Sequence, residues 1–183
     1  GSFRARLAKT AEDTGRSYAL RQSVFRSRSP LSDTDKFDDR CLHVLIEGPA
    51  DELLCSYRLL PLAAGDSILG SYSAQFYDLS ALTGFDGPLL ELGRFCLSPA
   101  VQEPDVLRIA WAAMTRIVDE RGIRLLFGCS SFAGADPAPH AEALASAARP
   151  HSASASHPAS VTVSKTASLH GSRHFVSGAK AQS

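Results

Sequence analysis

An apolar run from Leu89 to Leu97, read Leu-Leu-Glu-Leu-Gly-Arg-Phe-Cys-Leu, carries two opposite charges in its middle, Glu91 and Arg94. A buried charge costs several kcal/mol unless it is paired and hydrogen-bonded, so a carboxylate and a guanidinium here suggest a built site. Strand alternation alone would separate them, with Leu89, Glu91, Gly93, Phe95 and Leu97 on one face and Leu90, Leu92, Arg94 and Cys96 on the other. Gly93 supplies a way round this, because a bulge at a glycine shifts the parity and brings Glu91 and Arg94 to one side. The plainer alternative is an edge strand whose two charges reach solvent from opposite faces.

Two more charges stand on apolar surfaces. Arg58 shares a strand face with Leu54 and Leu60, and Arg21 lies between Tyr18 and Phe25 on the edge of a helical stripe. Such an arginine is either a snorkelling side chain or a held guanidinium. The polar stretch from Ser27 to Arg40, with Pro30, Asp33, Asp35, Asp38 and Asp39, reads as a loop, and loops over a rigid sheet often carry function. Cys41, Cys55, Cys96 and Cys129 have no C-x-x-C spacing, and His151, His157, His170 and His174 have no regular metal spacing. Small buried thiols in a reducing cytosol are expected, with no metal and no cofactor.

The elements that must position these residues follow from the hydrophobic period. Phe3 to Leu7 reads as a short strand, followed by a helix with Thr10 as N-cap and Asp13 approximating a capping box. Tyr18, Leu20, Val24 and Phe25 form its expected buried stripe. Cys41 to Glu47 and Leu53 to Pro61 read as an antiparallel hairpin turning through Gly48, Pro49 and Asp51. Ala63 to Pro88 is a glycine-rich, aromatic excursion that either covers a pocket or simply packs as a loop. Pro104 opens the clearest helix, with Leu107, Ala110, Trp111, Met114, Ile117 and Val118 in register and Gly122 as its stop. Ile123 to Phe132 is another core strand, and Asp136 and Pro137 open a short helix through Leu144. From about Ser146 the chain turns to Ser, Ala and His with no acidic residue, a composition expected to stay disordered. This order of elements is an α+β pattern with a mixed, mostly antiparallel sheet flanked by helices.

Composition narrows the classes. With 183 residues, 44% of them hydrophobic, the chain can build the core of one domain. Its 19 Lys and Arg balance 19 Asp and Glu, which excludes the basic field expected of a nucleic-acid binder. The balance is uneven locally: Arg4, Arg6, Lys9, Arg16, Arg21, Arg26 and Arg28 face only Glu12 and Asp13. That segment is either a docking surface for an acidic partner or a solvated helix face. No apolar run reaches the roughly 18 residues of a membrane span and no signal peptide opens the chain, so a cytosolic protein is expected. The sequence begins Gly-Ser rather than Met, as a fragment or a processed chain would.

Several of these stretches together resemble a known family. Tyr57 to Pro61 (Tyr-Arg-Leu-Leu-Pro), Phe76 to Ser80 (Phe-Tyr-Asp-Leu-Ser), Leu90 to Arg94 (Leu-Glu-Leu-Gly-Arg), Leu126 to Phe132 and Gly134 to Leu144 look like the ornithine-acyl carrier protein N-acyltransferases. These GNAT-fold enzymes make lyso-ornithine lipid from L-ornithine and a 3-hydroxyacyl thioester. The resemblance covers Arg4 to Leu144 and implies a GNAT-like domain over residues 1–145, incomplete at its C-terminus, followed by a disordered tail over 146–183. The related acyl-homoserine lactone synthases share the Arg21 and Phe25 spacing, Asp38, Arg58 and the Glu91 and Arg94 pair. The synthases' acidic residue three after Asp38 is Cys41 here, and the Cys-Asp-His of the ornithine enzymes reads Cys41-Leu42-His43.

The resemblance implies attack of the ornithine α-amine on the thioester carbonyl. Glu91 is the implied base, directly or through a water; Arg58 and Arg94 hold the acceptor carboxylate or lock Glu91; backbone N–H groups around Phe95 and Cys96 bind the oxyanion. Coenzyme A-dependent relatives cradle the pyrophosphate in a glycine loop ahead of the helix, whereas Ser98 to Asp105 contains no glycine, which favours a donor held on acyl carrier protein. The acidity of acyl carrier proteins gives the basic amino-terminal segment a purpose. The implied location is the cytoplasm, with peripheral attachment at the inner membrane as a variant. The alternatives are a lactone synthase-like enzyme that takes S-adenosylmethionine, and a truncated or frameshifted, inactive domain that only binds acyl carrier protein.

Overall fold

The computed structural model describes residues 2–25, 32–101, 103–131, 160–164 and 174–180. The chain divides into two compact units, Gly1–Pro61 with Leu92–Arg121, and Leu62–Glu91 with Gly122–Ser183. In the first, strand β1 (Arg4–Leu7) pairs antiparallel with β2 (Leu42–Glu47), and β2 with β3 (Leu53–Leu62). Apolar and β-branched residues bury this hairpin: Val44, Leu45, Ile46, Cys55 and Leu59 are almost wholly inaccessible. The turn passes through Asp51 at φ 61°, and the ladder slips between Ile46 and Glu47. From Leu92 onward, strand β4 (Leu89–Leu97) runs beside β3, and just past its end Ser98 N–H donates to the Leu54 carbonyl at 2.8 Å.

Helices α1 (Ala11–Phe25) and α2 (Asp105–Glu120) lie on opposite faces of β3. Tyr57 points to one side and donates its hydroxyl to the Ala110 carbonyl of α2 at 3.0 Å. Its neighbour Ser56 points to the other side and meets Ser17 of α1 at 2.5 Å. The capping box forms as expected: Asp13 N–H donates to Thr10 Oγ1 at 3.1 Å and Thr10 N–H to Asp13 Oδ2 at 3.3 Å.

Helix α1 buries a different face from the one its apolar residues suggest, whereas α2 buries Ala110, Met114 and Ile117 of its expected stripe. In α1 the buried residues are Asp13, Ser17 and Arg21, spaced by four, while Val24 and Phe25 are exposed. The helix is held by polar partners on the sheet, so hydropathy pointed to the wrong stripe. In α2 the buried set is Val106, Ala110, Ala113, Met114 and Ile117, which leaves Leu107 and Trp111 exposed. Small alanines let α2 approach the sheet closely, and Gly122 ends the helix at φ 60°. Of the cysteines, Cys55 and Cys96 are buried as expected, whereas Cys41 and Cys129 are half-buried.

In the second unit the excursion after β3 winds through three short 3-10 turns, Gly65–Gly70, Ser73–Gln75 and Ser80–Leu82. Gly65 closes it: a Cβ there would stand 2.2 Å from the Leu82 carbonyl oxygen and 2.6 Å from Phe85 N. Strand β5 (Leu125–Ser131) starts two residues later than the sequence suggests. The expected disorder from Ser146 onward is corrected at two places, where β6 (Ser160–Ser164) and β7 (His174–Lys180) are strands. β7 pairs antiparallel with β5 and β6 with β7. Ser-Val-Thr-Val-Ser holds three consecutive β-branched residues, and pairing of β6 with β7 and of β7 with β5 supplies the ladder hydrogen bonds that composition alone does not foresee. The helix expected over 136–144, the rest of the tail, and Arg26 and Arg28 lie outside the described residues.

Candidate active site

Within the first unit, three arginines and three aspartates interlock. Arg21 of α1 donates from Nε to Asp33 Oδ2 at 3.0 Å, from Nη1 to Asp38 Oδ1 at 2.6 Å and from Nη2 to the Asp33 carbonyl. Arg58 of β3 donates from Nη1 to Asp35 Oδ1 and Asp38 Oδ1, each at 2.7 Å, and from Nη2 to Asp35 Oδ2 at 2.8 Å. Arg94 of β4 reaches Asp33 Oδ2 at 3.3 Å and Asp35 Oδ2 at 3.5 Å. The lattice has a dry base and a wetter rim: the side chains of Arg21, Asp33, Asp38 and Arg58 are 1–3% exposed, those of Asp35 and Arg94 22%. Its charges cancel, which is what allows six ionised groups to be packed against a sheet.

Electrostatics favour the ionised form of Asp38, Asp35 and Arg58. Burial pushes the Asp38 carboxyl up, but hydrogen bonds from Arg21, the Asp35 amide and Arg58 outweigh it and hold it at about 2. The same competition, won by Arg58 and the Phe37 amide, lowers Asp35. Arg58 is itself raised, its carboxylate partners overcoming burial.

The parity of β4 breaks where the sequence suggests, one residue on. A Cβ at Gly93 would face Arg58 Nε at 3.3 Å, on the α1 side, yet Phe95 stacks between Tyr57 at 5.3 Å and Trp111 at 6.0 Å, on the α2 side. The residue between them, Arg94, has φ 52°, in the left-handed region. Gly93 is thus the space that admits Arg58, and Arg94 is the bulged residue. Phe25 lies by Arg94, whose guanidinium carbon is 5.9 Å from the ring centroid. Phe95 and Cys96 do not bring side chains to the lattice: Phe95 belongs to the aromatic stack and Cys96 Sγ donates to the Ser56 carbonyl at 3.4 Å. Asp33 and Asp35 carry as much of the lattice as Asp38. Their signal was the run of aspartates in a loop of a chain with three arginines on apolar faces.

Glu91 has its own partners in the second unit. Its Oε2 accepts from Tyr72 N–H at 2.8 Å, and Oε1 accepts from Ser73 N–H at 2.6 Å and from the Ser73 hydroxyl. The carboxylate therefore caps the turn Ser73–Gln75 and anchors the excursion, a role the sequence did not show. An ionised carboxylate only accepts, so Ser73 donates to it and receives a hydrogen bond from the Cys129 thiol, 2.9 Å away. Burial pushes that thiol up to about 11, so it stays protonated.

Three arginines of the basic amino-terminal segment, Arg4, Arg6 and Arg16, are paired with carboxylates. Fully buried Glu47 accepts from Arg6 Nε at 2.9 Å, Arg4 Nε at 2.9 Å and Arg16 Nη1 at 2.6 Å, while Arg6 also grips Asp13 at 2.6 and 2.8 Å and Arg4 reaches Asp51 at 3.0 Å. Hydrogen bonds from the arginines, Arg6 foremost, lower Glu47 to about 2. Arg4, Arg6 and Arg16 are thus balanced by Glu47, Asp13 and Asp51. Arg6→Ala should cost about 1–3 kcal/mol in a denaturant melt, because it deprives both Glu47 and the cap residue Asp13 of donors. An unchanged melt would remove this structural role. Among the described residues there is no metal-binding group of His, Cys, Asp and Glu, and no helix is long and apolar enough to cross a membrane.

Residues 16–112 match the acetyltransferase (GNAT) domain family. The chain is 31% identical over 163 residues to an L-ornithine N(alpha)-acyltransferase of Brucella abortus, covering 79% of this chain and 58% of that protein. It is 32% identical over 160 residues to the protein of the same name from Rhodobacter capsulatus, covering 79% of this chain and 62% of the relative. The chain thus spans about three fifths of the length of these curated relatives, 58% and 62%. Among solved structures it is similar to the AHL synthase LasI, with a TM-score of 0.62 and 16% identity over 97% of this chain and 89% of that one, a likeness of fold.

Proposed function

Since the chain belongs to the GNAT acetyltransferase family, we propose that it is the transferase domain of an L-ornithine N-acyltransferase, moving a 3-hydroxyacyl group from acyl carrier protein to the ornithine α-amine as a step toward ornithine lipid. The observation that carries the reading is the arginine–aspartate lattice with its two partly exposed members, Arg94 and Asp35. An amino acid presents a carboxylate and an ammonium, and this rim offers a guanidinium and a carboxylate at 3.5 Å, the longest contact of the lattice. The acceptor exchanges one ion pair for two, its carboxylate on Arg94 and the side-chain ammonium of ornithine on Asp35, which leaves the α-amine free to react.

The neutral α-amine attacks the thioester carbonyl, forming the C–N bond, and the C–S bond then breaks. The amine's proton passes to Glu91, the base that the family resemblance implies, and returns to the departing thiolate, so amide and thiol are the products. Main-chain N–H groups at Phe95 and Cys96, next to the distorted backbone of Arg94, are the donors for the oxyanion, each such donor typically supplying about 10²–10³ in rate. The donor is acyl carrier protein: α2 begins at Asp105 behind Pro104 with no side-chain cap, and no glycine between Ser98 and Asp105 opens a pyrophosphate cradle. With a donor of that kind, the reaction belongs to the cytoplasm.

The test is acylation of ornithine by the purified chain with 3-hydroxyacyl groups on acyl carrier protein or on coenzyme A. Product from the carrier-protein thioester and little from the coenzyme A thioester is expected; equal use of both would remove the donor assignment. Arg94→Gln should raise KM for ornithine about 10–100-fold, the worth of one charged hydrogen bond, with a smaller change in kcat. An unchanged KM would move the acceptor carboxylate elsewhere.

A further inference from the structure

His43 borders the charged lattice, and its chemistry is unused by the transfer reaction. It stands on β2 as the cross-strand partner of Arg58, and its side chain is almost wholly buried. Nε2 lies 3.1 Å from the Asp38 carbonyl oxygen, an acceptor, so the proton of the neutral ring is on Nε2. Nδ1 is buried with no hydrogen-bond partner among the described residues. The edge of the ring contacts Tyr18 at 5.5 Å, and the Arg21 guanidinium covers the same tyrosine at 5.2 Å.

We propose that His43 is a positioning residue for the acceptor site, a neutral pin that fixes the Asp38 turn through Nε2–H and loosens the arginine–aspartate lattice when Nδ1 takes up a proton. The first half follows from where the bond lands. Asp38 opens the 3-10 turn Asp38–Arg40 and its carboxylate receives both Arg21 and Arg58, so a donor on its carbonyl sets the direction from which both guanidinia are held. The second half follows from what surrounds the ring. The turn presents Asp38 and Asp39, α1 presents Tyr18 and Arg21, β3 presents Arg58, and the uncharged Ala8, just past β1, bonds the His43 carbonyl through its N–H at 2.8 Å. Asp38 already serves two arginines. A proton on Nδ1 creates a buried donor with no acceptor and a third cation beside Arg21 and Arg58.

The sign is set by the same surroundings. Burial above all, then Arg21 and Arg58, lower the ring below its ordinary value of about 6.5, against the smaller opposing pull of Asp38. A folded-state value below the unfolded one means the contribution to stability is complete above about pH 6.5 and is lost as pH falls through the folded value. This phase precedes that of Asp38, whose carboxyl is held at about 2 and whose contribution is lost only below its ordinary carboxylate range.

The role rests on the acceptor reading above, and two readouts keep the two apart. Melting temperature is followed from pH 8 to pH 5 for the unaltered chain, His43→Gln, which keeps a donor at the Nε2 position without titrating, and His43→Phe, which keeps only the ring. KM for ornithine is followed over the same range. The unaltered chain should lose melting temperature below about pH 6.5, and its KM relative to that of His43→Gln should climb by up to tenfold per pH unit, the limit for one linked proton. His43→Gln should be flat in this window with near-normal KM at pH 8, and His43→Phe should have a raised KM at every pH. Parallel pH curves for the unaltered chain and His43→Gln would overturn the proton-operated half; a normal KM in His43→Phe would overturn the positioning half. Should ornithine prove not to be the acceptor, the acceptor reading falls while the melting curves still decide whether His43 titrates the lattice.

Discussion

Glu91→Gln should lower the single-turnover rate of ornithine acylation by about 10²–10⁴, the usual worth of a positioned general base. The structure adds a cost in stability. Both carboxylate oxygens accept main-chain N–H groups, from Tyr72 at 2.8 Å and Ser73 at 2.6 Å. A glutamine amide can satisfy one of these with its oxygen, but turns an N–H toward the other, so about 1–3 kcal/mol should be lost as well. Rates are therefore to be compared well below the melting temperature of the variant. Ser73→Ala is the milder comparison, since it removes the hydroxyl bonded to the carboxylate and keeps the Ser73 N–H that Glu91 caps. A Glu91→Gln protein that acylates ornithine at the unaltered rate would end the base assignment and leave Glu91 as the anchor of the excursion.

Asp38→Ala should be the most damaging single change to folding, about 3–5 kcal/mol in a denaturant melt, because it strips two buried guanidinia of a shared carboxylate. A domain with a total stability of about 5–15 kcal/mol would lose a large share of it. Asp105→Ala provides the contrast. The Arg108–Asp105 pair is just as short, 2.8 Å, but its side chains are 78% and 59% exposed, so its loss should shift the melt by less than about 1 kcal/mol. If Asp38→Ala and Asp105→Ala melt alike, the lattice is not the buried network described. Arg94→Ala, by the same reasoning, should fall between the two, since Arg94 sits at the wetter rim rather than in the base.

Strands and turns were legible in the sequence because their cause is local. The β2–β3 hairpin follows from period-two apolar runs around Gly48 and Asp51, and the start of α1 from the reciprocal bonds between Thr10 and Asp13. The buried stripe of α1 was not legible. Periodicity finds a face by its hydrocarbon, and this helix buries Asp13, Ser17 and Arg21, whose partners Arg6, Ser56, Asp33 and Asp38 come from other segments. The strands within the tail were missed for a related reason: composition weighs a segment alone, whereas β7 gains its ladder from β5.

At the site, the sequence by itself determined which charges were out of place. Arg21, Arg58, Glu91 and Arg94 each interrupt an apolar surface, and desolvation makes such a charge costly wherever the chain goes, so the anomaly is visible without a fold. Which partners relieve that cost only the tertiary structure decided. Arg94 is met by Asp33 and Asp35, Glu91 by Tyr72 and Ser73, and the basic amino-terminal arginines are met by Glu47, Asp13 and Asp51. Pairing energy depends on distances of about 3 to 4 Å between residues tens of positions apart in the chain, and that separation is fixed by the path of a loop and the parity of a strand, neither of which residue type or spacing encodes.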